Sequence, residues 1–257
     1  MPFTLSHPAA VLLVRRTGLP VAAMVGGSMT PDAPLFLPSH EYGATHSLHG
    51  ILTVDLVISI VLVVVWVVVV RDALVDLAPQ GVRRRLSPTV RYSPRQWALV
   101  PVGAVLGSST HVVWDAFTHP GRWGVRRVVW LHTEHLGMSG SQWAQFASGG
   151  LGLLVVLAWM AHTIRTARPG VDGPSRPSRT PRLARVALPV VVGAASWGTV
   201  LGALSRTHHG LHHSAYGAAV HGTVLLALAV LVVSLAWQVA VRWTGSRPRP
   251  SLPAGRR

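Results

Sequence analysis

Residues 51–70 read ILTVDLVISIVLVVVWVVVV, a run in which Asp55 is the only charged residue. About 20 apolar residues are enough for a helix to cross the hydrocarbon core of a bilayer. The many valines would favour a strand in water. In lipid, however, every backbone amide and carbonyl must be paired within the segment, and this selects the helix. The run therefore predicts a transmembrane helix at about 47–70.

Other segments share this length and apolarity, at about 96–118, 143–164, 184–205 and 216–241. The N-terminal stretch 3–29 is also apolar, but an arginine pair, a glycine and a proline interrupt it. We expect a re-entrant or interfacial helical segment there. The sequence thus predicts an all-α polytopic membrane protein with about five transmembrane helices. We expect a single integral membrane domain over 1–241, with an N-terminal motif segment at 1–46.

The composition agrees with a membrane protein. Hydrophobic residues make up 49% of the chain and charged residues only 12%, against about 25% charged in soluble domains. The net charge is +15 and every basic residue is arginine. Such a balance could indicate nucleic acid, but arginines that flank apolar spans are better explained by topology and by anionic headgroups. We therefore expect membrane lipids as partners and no nucleic acid.

The arginines predict the orientation. They concentrate in the connection 71–95, in the Pro/Ser/Arg-rich stretch 165–185 and in the tail 242–257. By the positive-inside rule these three segments are cytoplasmic. We expect a flexible linker at 165–185 and a disordered basic tail at 242–257. In a bacterial inner (plasma) membrane, the N-terminus would then lie outside and the C-terminus in the cytoplasm.

Most of the histidines fall on the predicted outward side. Only His49, His162 and His221 of the 14 lie inside a span or at an inner end. Four of the eight acidic residues share the outward side, namely Asp32, Glu41, Asp115 and Glu134. The chain has no cysteine, so a metal would have to be held by His, Asp or Glu. The outward face is therefore the predicted location of a site.

The sharpest motif is HVVWDAFTHPG, residues 111–121. His111, Asp115 and His119 follow at intervals of four, which places them on one stripe of a helix. Two imidazoles and a carboxylate on one face suit a zinc-like divalent ion. The alternative is a polar stripe that hydrogen-bonds to neighbouring helices. Ionisable groups inside spans are costly and tend to mark function, so we favour the metal.

Three shorter motifs lie upstream: TLSHPAA with His7, GGSMTPDAP with Asp32, and ATHSLHG with His46. Each also has a local explanation. A His before Pro at a helix start is ordinary, Asp32 lies in a Gly/Pro turn, and Thr45 or Ser47 can cap a helix. Taken separately, these motifs leave turn chemistry and metal ligation both open.

The order HPAAVLLVRR, GSMTPDAP, THSLHG and HVVWDAFTHPG resembles the bacterial membrane family called domain of unknown function 4184. It is more distantly similar to inner-membrane proteins described as metal-dependent hydrolases, and to the superfamily of zinc-dependent phospholipase C and single-strand nucleases. The resemblance implies phosphoester hydrolysis and metal ligation by His7, Asp32, His46, His111 and Asp115. Those enzymes also use an N-terminal Trp and a later HxxxE, which this chain lacks, and we therefore expect one or two ions.

Other polar residues follow the stripe. Asp115 and Glu134, which lies in HTEH at 132–135, are candidate catalytic residues, Glu134 as a general base. Arg122, Arg126 and Arg127 could hold a phosphate or anchor to headgroups. The histidines of 208–213 could bind a metal, although a solvated loop is favoured. Asp55 is expected to pair with a buried polar neighbour or to support a ligating histidine.

The resulting hypothesis is a membrane-embedded, metal-dependent hydrolase that acts on a phosphoester, including a lipid-linked one, at the outer face. Zinc is the expected cofactor and manganese the alternative. A second hypothesis is a non-catalytic membrane protein that binds or transports a divalent metal. A transporter needs polar groups across the bilayer, and below the outer cluster the sequence offers only Asp55, His49, His162 and His221.

Overall fold

The computed structural model describes residues 4–36, 42–168, 177–207 and 210–245. The described residues are 79% helical, which confirms the predicted all-α fold. The N-terminal segment contains two short helices, α1 (Pro8–Val14) and α2 (Val21–Gly27). Two 3-10 turns (Thr4–Ser6 and Thr30–Leu35) and the short helix α3 (Tyr42–Thr45) complete it.

In the described part of the chain, five helical segments are long and apolar enough to cross a membrane. The first spans Leu48–Leu77 and is built from α4 (Leu48–Leu52), α5 (Val54–Val65), a π-helical turn (Trp66–Val70) and α6 (Arg71–Leu77). After α7 (Gln80–Arg83) the others are α8 (Pro94–Thr118), α11 (Gly140–Thr166), α12 (Pro181–Leu204) and α13 (Leu211–Gly245). Between α8 and α11 lie α9 (Trp123–Arg127), α10 (Val129–His132) and a two-stranded antiparallel hairpin of β1 (Glu134–His135) and β2 (Met138–Ser139).

Several boundaries differ from the predicted ones. The first span continues past residue 70 because Asp72 forms ion pairs with Arg71 at 3.0 Å and Arg91 at 2.8 Å, so its charge does not end the helix. Helix α12 begins at Pro181, so the last residues of the predicted linker are helical. Helix α13 runs to Gly245. Residues 169–176 of the predicted linker and the tail from 246 lie outside the described residues.

Helices α1 and α2 form a re-entrant hairpin. Both of its ends lie beside the C-terminal half of α8, since His7 approaches Asp115 and the carbonyl of Ser28 contacts His111. Its tip lies towards the Pro94 end of α8, because α2 begins beside Gly103 and runs in the same direction as α8. The tip, with its arginine pair, therefore points towards the arginine-rich connection that precedes α8.

Glycines allow the hairpin to lie directly against α8. A Cβ on Gly107 would lie 2.1 Å from the carbonyl oxygen of Met24, and one on Gly27 would lie 2.2 Å from that of Ala104. Small residues of this kind let helix backbones approach closely in membranes. Below this crossing, Ala23, Val63, Val67 and Val100 form a buried apolar layer.

Helices α12 and α13 form a second hairpin that packs against α6. Gly202 and Gly217 bring their backbones into contact, and a cluster around Trp237 and Leu77 joins the hairpin to the first span. Asp76 lies at this junction, where it accepts hydrogen bonds from Trp237 Nε1 at 2.8 Å and Ser178 Oγ at 2.9 Å. The buried acid therefore links three segments of the chain.

Candidate metal centre

Three separate segments bring histidines and aspartates together at the C-terminal half of α8. His111 and Asp115 come from α8, Asp32 from the second 3-10 turn, and His46 from the connection before α4. One possible ligand atom from each lies within 4.8 Å of all the others, and all four residues are buried. This group could hold a metal ion.

The hydrogen bonds of His111 fix the direction of its ring. Its Nδ1 donates to the carbonyl oxygen of Ser28 at 2.8 Å, because a carbonyl can only accept. Its Nε2 lies 3.4 Å from Asp115 Oδ2 and 3.6 Å from Asp32 Oδ1, and has no hydrogen-bond partner in the described part of the chain. A histidine tied by one nitrogen to a carbonyl, with the other facing carboxylates, is typical of metal ligation.

The ring of His46 is also oriented by a hydrogen bond at its Nδ1. Thr45 Oγ1 donates its single hydrogen to the carbonyl of Pro31 at 2.8 Å. It therefore accepts from His46 Nδ1, which lies 3.2 Å away. His46 Nε2 then faces Asp115 Oδ2 at 3.2 Å. The Nε2 atoms of two histidines thus converge on one carboxylate oxygen.

Asp32 is held by a hydroxyl from the start of the chain. Thr4 Oγ1 donates to Asp32 Oδ2 at 2.5 Å, while Oδ1 faces the ring of His111. Hydrogen-bonding groups behind a ligand keep it oriented and tune it. Thr4, Thr45 and the carbonyl of Ser28 form this supporting layer. In the sequence, Thr45 is expected only as a helix cap, and no motif points to Thr4 or Ser28.

His7 and His119 flank the four residues. His7 Nε2 is 3.7 Å from Asp115 Oδ1, and its ring stacks on His111 at 3.7 Å between centroids. Burial, followed by the neighbouring His111, lowers the pKa of His7 to about 3, so its ring is neutral at neutral pH. His119 Nδ1 is 3.3 Å from Asp115 Oδ1, and its side chain is 26% exposed while the others are almost fully buried.

The charges of the centre favour a cation. The described ion-pair partners of Asp32 and Asp115 are all histidines. Burying carboxylates is costly unless hydrogen bonds and positive charge offset their desolvation. A divalent ion among carboxylates and imidazoles would neutralise this charge and use the nitrogens that face it. The donor set therefore fits a metal.

Asp55 has no hydrogen bond to either carboxylate oxygen among the described residues, although it is fully buried. The predicted pairing with a buried polar neighbour is absent there. One helical turn away, Ser59 lies 3.1 Å from Thr30, which lies 3.3 Å from Ser108. Asp55 thus lies beside a row of buried hydroxyls. The row reaches Ser108, which is one helical turn from His111 on α8.

Glu134 does not join the centre. It is exposed on β1 and makes no hydrogen bond or ion pair with the cluster in the described residues. Its neighbours point elsewhere: His132 donates towards the carbonyl of Val125, and His135 stacks on Trp130. The role of Glu134 as a base stays a prediction. His208 and His209 lie outside the described residues.

The fold and the site together define a polytopic α-helical membrane protein with a buried histidine–aspartate centre. The family described as "Domain of unknown function (DUF4184)" matches residues 1–241, and the chain belongs to that family. No curated protein and no solved structure matches the chain.

Proposed function

We propose that this protein is a membrane-embedded, metal-dependent hydrolase of phosphoesters, with zinc as the expected ion and manganese as the alternative. One observation carries the proposal: Asp32, His46, His111 and Asp115 come from three separate segments and present ligand atoms within 4.8 Å of one another in a buried site. Their order along the chain is also the order of ligands in the zinc-dependent phospholipases that the sequence distantly resembles.

The chemistry is addition of water to phosphorus. The water oxygen bonds to phosphorus, the bond from phosphorus to the leaving oxygen breaks, and a proton moves to that oxygen. A bound divalent ion would lower the pKa of water and offset charge on the phosphoryl oxygens. The chain's part is to fix the ligands: Thr4 holds Asp32, Thr45 holds His46, and Ser28 holds His111.

Access to the centre is proposed on the side of His119, its most exposed member. His119 follows the last turn of α8, and its Nε2 lies 3.0 Å from Gln145 Nε2 on α11. Arg122 begins the next turn, and its backbone amide donates to the carbonyl of His119 at 3.3 Å. Cationic side chains here, with Arg126 and Arg127 after them, would attract a phosphate.

Transport of the metal across the bilayer is the weaker alternative. The row of buried hydroxyls below the centre ends at the apolar layer of Ala23, Val63, Val67 and Val100. A pathway for a divalent ion needs polar groups along its length. The apolar layer therefore favours a site that is used from one side, as an enzyme or a sensor would use it.

The test is hydrolysis of bis(p-nitrophenyl) phosphate by purified protein with zinc or manganese. We expect turnover that a chelator abolishes and that Asp115→Asn and His46→Ala reduce by at least about 100-fold, as loss of a metal ligand should. His221→Ala is the matched control, because within the described part of the chain His221 hydrogen-bonds to the carbonyl of Gly217 on its own helix and not to the centre. If metal-loaded protein hydrolyses neither this ester nor lipid phosphoesters, the hydrolase proposal is contradicted and only metal binding remains supported.

A further inference from the structure

An apolar groove of about 520 Å³ opens beside the metal centre. Its walls come from three membrane-spanning segments, with Leu62 on α5, Leu153 on α11, and Ala227 and Leu228 on α13. Residues of the N-terminal segment, Phe36 among them, close one side. The groove thus lies within the membrane-crossing part of the fold, and its size falls in the range of small-molecule sites.

The groove reaches the metal centre through a shared residue. Thr4 lines the groove, and its hydroxyl donates to Asp32 at 2.5 Å. Thr30 lines the same end and hydrogen-bonds to Ser108, one helical turn from His111. The remainder of the lining is almost entirely apolar. A molecule that fills the groove would therefore have its polar end at the centre and its apolar body between the helices.

The groove is open to the side. Leu5, Leu62 and Leu228 line it and yet are between 43% and 51% exposed. Since these residues belong to the membrane-crossing region or to the segment packed against it, the surroundings that they face are lipid. A chain could enter the groove from the bilayer without crossing water.

We propose that this groove holds one hydrocarbon chain of a lipid phosphoester whose phosphate lies at the metal centre. The inference rests on the proposed function and gives its substrate class. Hydrocarbon alone gains little by leaving lipid for an apolar groove, because both surroundings are apolar. Preference for this occupant must come from the phosphate, which makes a lipid phosphate, and not bulk lipid, the specific ligand.

The test uses dodecyl phosphate that carries a photoactivatable diazirine at the end of its chain. Metal-loaded protein in detergent is irradiated with the probe, and labelled peptides are located by mass spectrometry. We expect label on the segments that contain Leu62 and Leu228. Unlabelled dodecyl phosphate should compete for it, whereas dodecanol and butyl phosphate should compete poorly.

Two variants of α13 provide the matched pair. Ala227→Trp fills the groove and should lower the competed labelling by about tenfold, since an inserted ring overpacks the space. Ala236→Trp places the same side chain on an exposed position of α13 outside the groove and should leave labelling unchanged. Ala236→Trp should also hydrolyse bis(p-nitrophenyl) phosphate like the wild type, because residue 236 lies outside both the groove and the centre.

The outcomes separate the two proposals. Competed labelling without hydrolysis of any ester would keep the groove as a lipid-phosphate site and reject the hydrolase. The other result is hydrolysis together with labelling that dodecanol competes equally or that Ala227→Trp does not change. It would keep the hydrolase and overturn the groove as a lipid-phosphate site, since the groove would then hold bulk lipid only.

Discussion

The carbonyl oxygen of Ser28 accepts a 2.8 Å hydrogen bond from His111 Nδ1 across 83 residues of sequence. Ser28 is the residue that ends α2, so the orientation of a candidate ligand on α8 depends on where the re-entrant hairpin packs. The hairpin is therefore part of the metal centre and not only an accessory to the membrane bundle.

Gly107→Ala should damage both stability and metal binding. The added Cβ would meet the carbonyl of Met24 at 2.1 Å, so α2 would have to move away from α8 and carry Ser28 with it. We expect a loss of about 1–3 kcal/mol in stability and a weaker metal site. Gly150→Ala on α11 is the control, because its Cβ would enter open space. Thermal unfolding in detergent and metal analysis measure both effects; equal behaviour of the two variants would refute the close packing.

Thr4→Val should weaken metal binding without unfolding the protein. The change keeps the shape of the side chain and removes the donor that holds Asp32 Oδ2. Loss of such a supporting bond typically lowers metal affinity by about 10–100-fold, and Thr4→Ser should restore it. Thr199→Val is the control, because it removes a hydroxyl that, among the described residues, donates to the carbonyl of Ala195 on its own helix. Competition with a metal indicator gives the affinities, and an unchanged value for Thr4→Val would reject the support by Thr4.

Asp76→Ala should destabilise the bundle while the metal content stays unchanged. Asp76 joins α6 to Trp237 on α13 and to Ser178 before α12, and its removal leaves buried donors unpaired at a cost of about 1–3 kcal/mol. Ser178→Ala removes one of these bonds and should cost less. Thermal unfolding and elemental analysis check the prediction, which a loss of metal from Asp76→Ala would contradict.

The proposed orientation can be tested because the chain has no cysteine. Cysteine at Leu136, in the turn between β1 and β2, should react with a membrane-impermeant maleimide in intact cells. Cysteine at Ser87, in the arginine-rich connection, should react only after permeabilisation. Cysteine at Thr17, at the hairpin tip, should also be protected from outside. Labelling of Ser87→Cys in intact cells would show that the orientation is opposite to the one predicted. Labelling of Thr17→Cys without labelling of Ser87→Cys would show that only the hairpin tip lies outside.

The transmembrane helices were predictable because a backbone in lipid must pair its own amides and carbonyls. The length and apolarity of a segment are therefore enough to identify a helix that crosses the membrane. The ends of these helices were less predictable: the apolar run predicts an end at about 70, but the helix continues through Asp72, which forms an ion pair with Arg91, and Asp76, which accepts hydrogen bonds from distant segments. Partners of that kind are fixed by tertiary packing and leave no local pattern.

The candidate ligands of the site were predictable from the sequence, but the groups that hydrogen-bond to them were not. The spacing of His111 and Asp115 places them on one face of a helix, and the family resemblance added His7, Asp32 and His46. The roles of Thr4 and Ser28 depend on the path of the re-entrant hairpin, which periodicity does not show. Gly107 and Gly27 were the available signal, since small residues at such positions permit close backbone contact.

Elemental analysis of purified protein tests the central claim most directly. Wild-type protein and the His221→Ala control should contain one or two zinc or manganese ions per chain, and the double variant His111→Ala/Asp115→Ala should contain none while keeping its elution volume in detergent. Absence of metal from correctly folded wild type after reconstitution, or equal metal in the double variant, would show that the buried histidines and aspartates have a structural role, and the hydrolase would be rejected with the metal centre.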